Sequence, residues 1–162
     1  MKIPVILNNK KTILDAEPQE KLLTVLRRLN LYSVKCGCEN GFCGNCMILV
    51  DSKPMCSCTV TTGSIRNCQI ETLESFKTNP IYTDIINGFS QAGMHLCGYC
   101  DAGKIFTAYE LLVKYQHPSI EEIFSAIKNL GTCCTDRDTF TNGILYAVSN
   151  KHSREAKLNG KK

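Results

Sequence analysis

Apolar and polar positions alternate along the first part of the chain, and the period lengthens in the second. Residues 2–7 (KIPVIL) and 11–16 (KTILDA) predict two short strands joined through Asn8, Asn9 and Lys10, a turn in which asparagine tolerates positive φ. In PQEKLLTVLRRLN, Leu22, Leu23, Leu26 and Leu29 fall at helical spacing, with Pro18 suited to a first turn. The stretch CMILVDSKPMCSCTV reads as strand, turn at 51–54 and strand, and IRNCQIETL supplies a further strand near residues 65–71. Beyond that the pattern predicts helices over 79–88, 103–115, 119–130 and 140–150. Ile105, Phe106, Tyr109, Leu112 and Val113 mark one helical face. Ser119, with Glu122 three residues on, forms a capping box, and the last helix is expected to start around Thr141. The expectation is an α+β chain: a strand-rich unit at 1–73, an all-helical unit at 74–151, and a tail at 152–162.

The bulk numbers change this picture little. With 162 residues, 43% hydrophobic and 21% charged, the chain has the composition of a soluble globular protein. No apolar run approaches the length of a membrane span. The N-terminus MKIPVILNNKK lacks a signal-peptide core and cleavage site, so a cytoplasmic location is expected. Much of the net charge of +4 comes from the closing KHSREAKLNGKK. That stretch has no aromatic residue for stacking on bases, so it reads as a solvated, frayed tail and not as a nucleic-acid-binding arm.

Eleven cysteines change it a great deal. So many thiols in a reducing compartment do not suggest a disulfide framework, and their odd number argues against complete pairing. Cys38, Cys43 and Cys46 have the C-x4-C-x2-C spacing of plant-type ferredoxins, with a further thiol downstream at Cys58. A loop that wraps a [2Fe–2S] rhomb must curl tightly, and Gly37, Gly41 and Gly44 allow this. Structural zinc prefers paired C-x2-C knuckles, and only Cys43 and Cys46 form one in this loop. Cys36, Cys56 and Cys68 fall outside the spacing and read as small buried hydrophobes. The second half contributes Cys97 and Cys100 (CGYC) and the adjacent Cys133 and Cys134. A thioredoxin-type redox pair would need a preceding strand, so a second four-thiolate site among helix ends fits better. A cysteine nucleophile at Cys97 or Cys100 with His95 as its base is a further reading, against which His95 stands as an ordinary surface or core histidine.

Read in order, these motifs resemble a known family over residues 1–150, the iron–sulfur subunits of the molybdenum hydroxylases, among them xanthine dehydrogenase, aldehyde oxidoreductase and carbon monoxide dehydrogenase. The resemblance rests on LLTVLRRLNLYSVKCGCENGFCGNC, the Ser57–Cys58 pair, FSQAGMHLCGYC and AIKNLGTCCTDRDTFTNGILYAV. It implies a ferredoxin-like β-grasp domain followed by a four-helix domain, each with one [2Fe–2S] cluster. The first ligand set would be Cys38, Cys43, Cys46 and Cys58; the second Cys97, Cys100, Cys133 and Cys134. Three departures stand out. Leu96 occupies the position of the glutamine that touches the molybdopterin in the family, and Cys100-Asp101-Ala102-Gly103 replaces its CTPG. Thr132 falls on the first cysteine of the family's last C-x-C pair, and Cys133 is expected to take over ligation by a one-residue shift.

The function implied is an electron-relay subunit without a catalytic centre of its own. Molybdopterin would be held by a large partner subunit and FAD by a medium one in a hetero-oligomer, with neither nucleic acid nor membrane as a partner. An autonomous two-cluster ferredoxin or regulatory redox protein is the alternative, and a zinc-stabilised interaction module is another from a different class.

Overall fold

The structure is a computed structural model that describes residues 1–130 and 134–160. Thr132 and Cys133, on which the reading of the last ligand pair turns, lie outside the described residues. Strands β1 (Lys2–Leu7) and β2 (Lys10–Asp15) form an antiparallel hairpin. Its turn residues Asn8 and Asn9 have φ of 49° and 65°, the left-handed pair that a two-residue turn of this hand requires. The same device, Asp51 at 48° and Ser52 at 65°, joins β3 (Met47–Val50) to β4 (Lys53–Cys56). Strand β5 (Gln69–Glu71) completes a sheet of order β2-β1-β5-β3-β4, with β1 and β5 parallel and the other neighbours antiparallel. Pro54, which cannot donate to a ladder, sits on the edge strand β4. The strand near 65–71 is shorter than expected. Residues Thr62–Ile65 form a 3-10 turn, and Asn67 at φ 63° breaks the extended run before β5.

Helix α1 (Leu22–Arg28) lays Leu22, Leu23, Val25 and Leu26 on the sheet, where they meet Ile3, Val5, Leu7, Ile48 and Ile70. It starts later than the periodicity suggests. Pro18 lies ahead of it, in a turn closed by Glu20 N donating to Glu17 O, and the carbonyls of Pro18 and Glu20 accept from the N–H groups of Gly63 and Thr62 instead of opening the helix. Leu29, the last of the periodic leucines, caps the helix and is exposed.

The second half consists of the short α2 (Leu73–Phe76) and four longer helices: α3 (Pro80–Gln91), α4 (Asp101–Lys114), α5 (Ile120–Ile127) and α6 (Arg137–Asn159). Ser119 and Glu122 form the capping box expected for α5. The Asp136 side chain accepts from Thr139 N and starts α6 earlier than residue 141. The tail expected to fray is instead helical as far as Asn159. Three contacts hold it. Arg154 grips the buried Asp84 of α3 at 2.7 and 2.9 Å, Lys151 Nζ donates to Leu112 O at 2.6 Å, and Asn150 donates to Asp84 O. Helices α3 and α6 cross where Gly88 meets Gly143 and Ala147 with no room for a side chain.

β3 is apolar throughout because it serves two cores. Ile48 and Val50 face the sheet core, while Leu49 joins Phe76, Phe89, Phe106 and Ile144 in the helical core. Among the described residues no helix is long and apolar enough to cross a membrane.

Candidate metal centres

The loop between α1 and β3 curls as the spacing of its cysteines suggests, and its N–H groups turn toward sulfur. Phe42 N and Cys43 N each donate to Cys38 Sγ at 3.2 Å, Cys38 N donates to Cys43 Sγ at 3.5 Å, and Gly41 N donates to Cys58 Sγ at 3.1 Å. Gly41 adopts φ 81°, and a methyl group on Gly37 would lie 2.7 Å from Cys43 Sγ, so the loop closes only over bare backbone at that point. Cys46 and Cys58 are buried against the sheet core, whereas Cys38 is exposed.

The loop's N–H groups favour thiolates. Those of Asn40, Cys43 and Phe42 bring the Cys38 thiol down to about 7. Cys46 falls to about 5 because the Cys56 thiol donates to it, and Cys56 is correspondingly raised. Burial, with Cys46 alongside, pushes Cys58 up to about 11. Of the three thiols outside the spacing, Cys56 and Cys68 pack against the sheet core as expected, though only partly buried, and Cys36 does not. Cys36 is exposed, with its sulfur 3.3 Å from Glu39 Oε1. Cys56 and Cys68 are half-buried, and Cys56 Sγ lies 3.5 Å from Gly41 O, in the wall of the loop.

The second group is tighter. Cys97, Cys100 and Cys134 place their sulfurs within 4.8 Å of one another. The Cys97–Cys100 and Cys100–Cys134 separations are both 3.5 Å. Thiolates sharing one tetrahedral metal with bonds of about 2.3 Å stand about 3.8 Å apart, so these sulfurs are spaced to share a metal. Among the described residues no three thiols of the first loop lie within 4.8 Å of one another. Both donor sets are thiolate-rich, as iron–sulfur centres require.

Nothing in the sequence CDAGK marks out Lys104. It lies one turn after Cys100 on α4, is 2% exposed, and donates through Nζ to Cys134 Sγ at 3.0 Å and Cys100 Sγ at 3.2 Å. Burial alone would lower its pKa, but the two sulfurs reverse this and hold it above the ordinary lysine value. In return, against the effect of burial, the Lys104 ammonium brings the Cys134 thiol down to about 6.

His95 makes no hydrogen bond to Cys97. With Met94, Cys134, Thr135 and Asp136 it borders an open hollow of about 440 Å³. Leu96 packs partly against the helical core and presents no polar group.

The two thiol-rich loops touch. Tyr99, between Cys97 and Cys100, donates its hydroxyl to Cys36 O at 2.8 Å. Gly44 and Gly103 meet backbone to backbone: a methyl group on Gly103 would lie 2.9 Å from Gly44 O.

Comparison with known proteins agrees with this layout. Residues 5–78 match the family described as 2Fe-2S iron-sulfur cluster binding domain, and residues 71–148 match the [2Fe-2S] binding domain family. The nicotinate dehydrogenase small FeS subunit of Eubacterium barkeri is 34% identical over 143 residues, 88% of this chain and 91% of that one. The xanthine dehydrogenase iron-sulfur-binding subunit of Escherichia coli O157:H7 is 29% identical over 151 residues, covering 92% and 95%. Among solved structures, quinoline 2-oxidoreductase from Pseudomonas putida 86 superimposes with a TM-score of 0.84 at 30% identity, covering 96% of each chain.

Proposed function

The chain belongs to the [2Fe–2S] iron–sulfur subunits of the molybdenum hydroxylase family, and from that premise we propose that it relays single electrons from a molybdopterin site on a large partner subunit to FAD on a medium one. Two [2Fe–2S] clusters supply one-electron transfer with little ligand movement. In this reading Cys38, Cys43, Cys46 and Cys58 hold the first; Cys97, Cys100 and Cys134 hold the second, with Cys133, outside the described residues, as its fourth ligand. The observation that carries the reading is the contact between the two loops, which puts two thiolate sets side by side in one small chain.

The chain's own residues have definite tasks. The N–H groups of Gly41, Phe42 and Cys43 hold sulfur lone pairs in place and favour negative charge there. Leu22, Leu23 and Val60 belong to the apolar cluster that includes Cys46 and Cys58, and they keep water from that side. In this reading the partner subunits supply both ends of the path.

Leu96 gives some support to a second reading, an autonomous two-cluster ferredoxin, because an apolar side chain stands where a contact to molybdopterin is expected. One preparation separates the two. Tagged chain isolated anaerobically from cells that also make the candidate large and flavin subunits should carry both with it. A monomer that leaves both behind yet passes electrons to soluble acceptors would refute the relay. The ligand assignment is tested on the same material by iron, sulfide and EPR. Intact chain should hold four irons and give two reduced signals. Cys58→Ser should remove one signal and Cys134→Ser the other; a variant that keeps both signals was not a ligand change.

A further inference from the structure

A lysine ammonium is expensive to bury, and its removal from water is repaid only by close opposite charge. Lys104 is 2% exposed, and among the described residues the hydrogen bonds of its ammonium go to two sulfurs, those of Cys100 and Cys134. The geometry follows from the helix. Side chains on a helix lean toward its N-terminus, so a lysine four residues after Cys100 reaches back over the turn where Cys100 sits. The opening of α4, at Asp101, thus presents its N-terminal dipole and a fixed cation to the same pair of thiols.

We propose that Lys104 sets the reduction potential of the second centre, holding it above the value its thiolates alone would give. This rests on the reading that Cys97, Cys100 and Cys134 hold a [2Fe–2S] group. Such a group with two ferric irons, two sulfides and four thiolates carries a net charge of −2, and −3 after one electron is added. No bond forms or breaks. A cation held against the thiolates stabilises the more negative state more, so the centre accepts its electron more readily. The first loop has no counterpart: among the described residues its sulfurs receive N–H groups, neighbouring thiols and the Ser57 hydroxyl, and no ammonium. Lys104 is therefore a charge contribution that the second centre receives and the first does not.

The test is an EPR-monitored redox titration of the full chain, with dithionite as reductant, for the intact protein, Lys104→Met and Lys104→Gln. Methionine removes charge and donor but keeps the length; glutamine keeps a donor. Both should lower the reduced-to-oxidised ratio of the second signal at fixed ambient potential at least tenfold, 59 mV for a one-electron couple. The first signal should not move. An unchanged second midpoint overturns the proposal, as does a shift in Lys104→Met that Lys104→Gln does not share, since charge would then not be the agent. Equal shifts of both signals would mean a general structural effect and overturn it too. Loss of the second signal, with iron falling from four to two per chain, would make Lys104 an assembly residue. Two irons in the intact protein would instead refute the underlying reading of the second site, whatever the variants do.

Discussion

Arg154 and Asp84 make a contact that the charge pattern along the chain does not announce. Asp84 is 5% exposed, and Arg154 holds it through two nitrogens. Arg154→Met would leave a buried carboxylate without its guanidinium. Because the arginine is itself partly exposed, the expected loss is about 2 kcal/mol, less than for a fully buried pair. Chemical denaturation should show it, and Asp84→Asn added to Arg154→Met should recover part of the loss. The same limit applied to Lys104. In the string CDAGK nothing separates a lysine buried on sulfur from a solvated one in a first turn, and only the packing of α4 decides. The ligand candidates were legible for the opposite reason. Cys38, Cys43 and Cys46 lie within nine residues, so their spacing alone fixes a loop that must curl. Cys36 is exposed where a buried thiol is expected, because a thiol outside the ligand spacing carries no local mark of whether it ends up in the core or at the surface.

Among the elements, hairpins and capped helices were the most readable, since Asn8–Asn9 and Ser119–Glu122 carry their own geometry. The ends of α6 were not. Its first turn, Arg137-Asp138-Thr139, is polar, and its last turns run past Val148 into KHSREAKLN, where apolar periodicity stops. What keeps those turns helical lies on other elements, at Asp84 of α3 and Leu112 of α4. The α3–α6 crossing is the point at which this half is least tolerant. A methyl group on Gly88 would lie 2.4 Å from Ala147 N and 2.6 Å from Gly143 O, both backbone atoms that cannot swing aside. Gly88→Ala should therefore destabilise the chain by about 3 kcal/mol, the upper end of overpacking effects, even though alanine is the better helix former. A thermal melt that moved upward would contradict this crossing.

Across the whole molecule, the division into a sheet half and a helical half is real in sequence pattern but incomplete in packing. Leu49 of β3 belongs to the helical core. Glu74 of α2 accepts from Ser33 N at 2.8 Å and Ser33 Oγ at 2.5 Å, and Asn9 of the first hairpin donates to Ser75 Oγ at 3.3 Å. The Gly44–Gly103 contact ties the first thiol loop to the opening turn of α4, next to Cys100. Gly103→Ala would press a methyl group against Gly44 O, so its effect should reach both sites: iron per chain should fall and both EPR signals should weaken. A variant that lost only the second signal would show that the loops fold independently. Two bare α-carbons define the gap, with Leu130 and Met47 closing over Gly44 beside it, so that spacing follows from the path of the main chain and from the side chains that seal it.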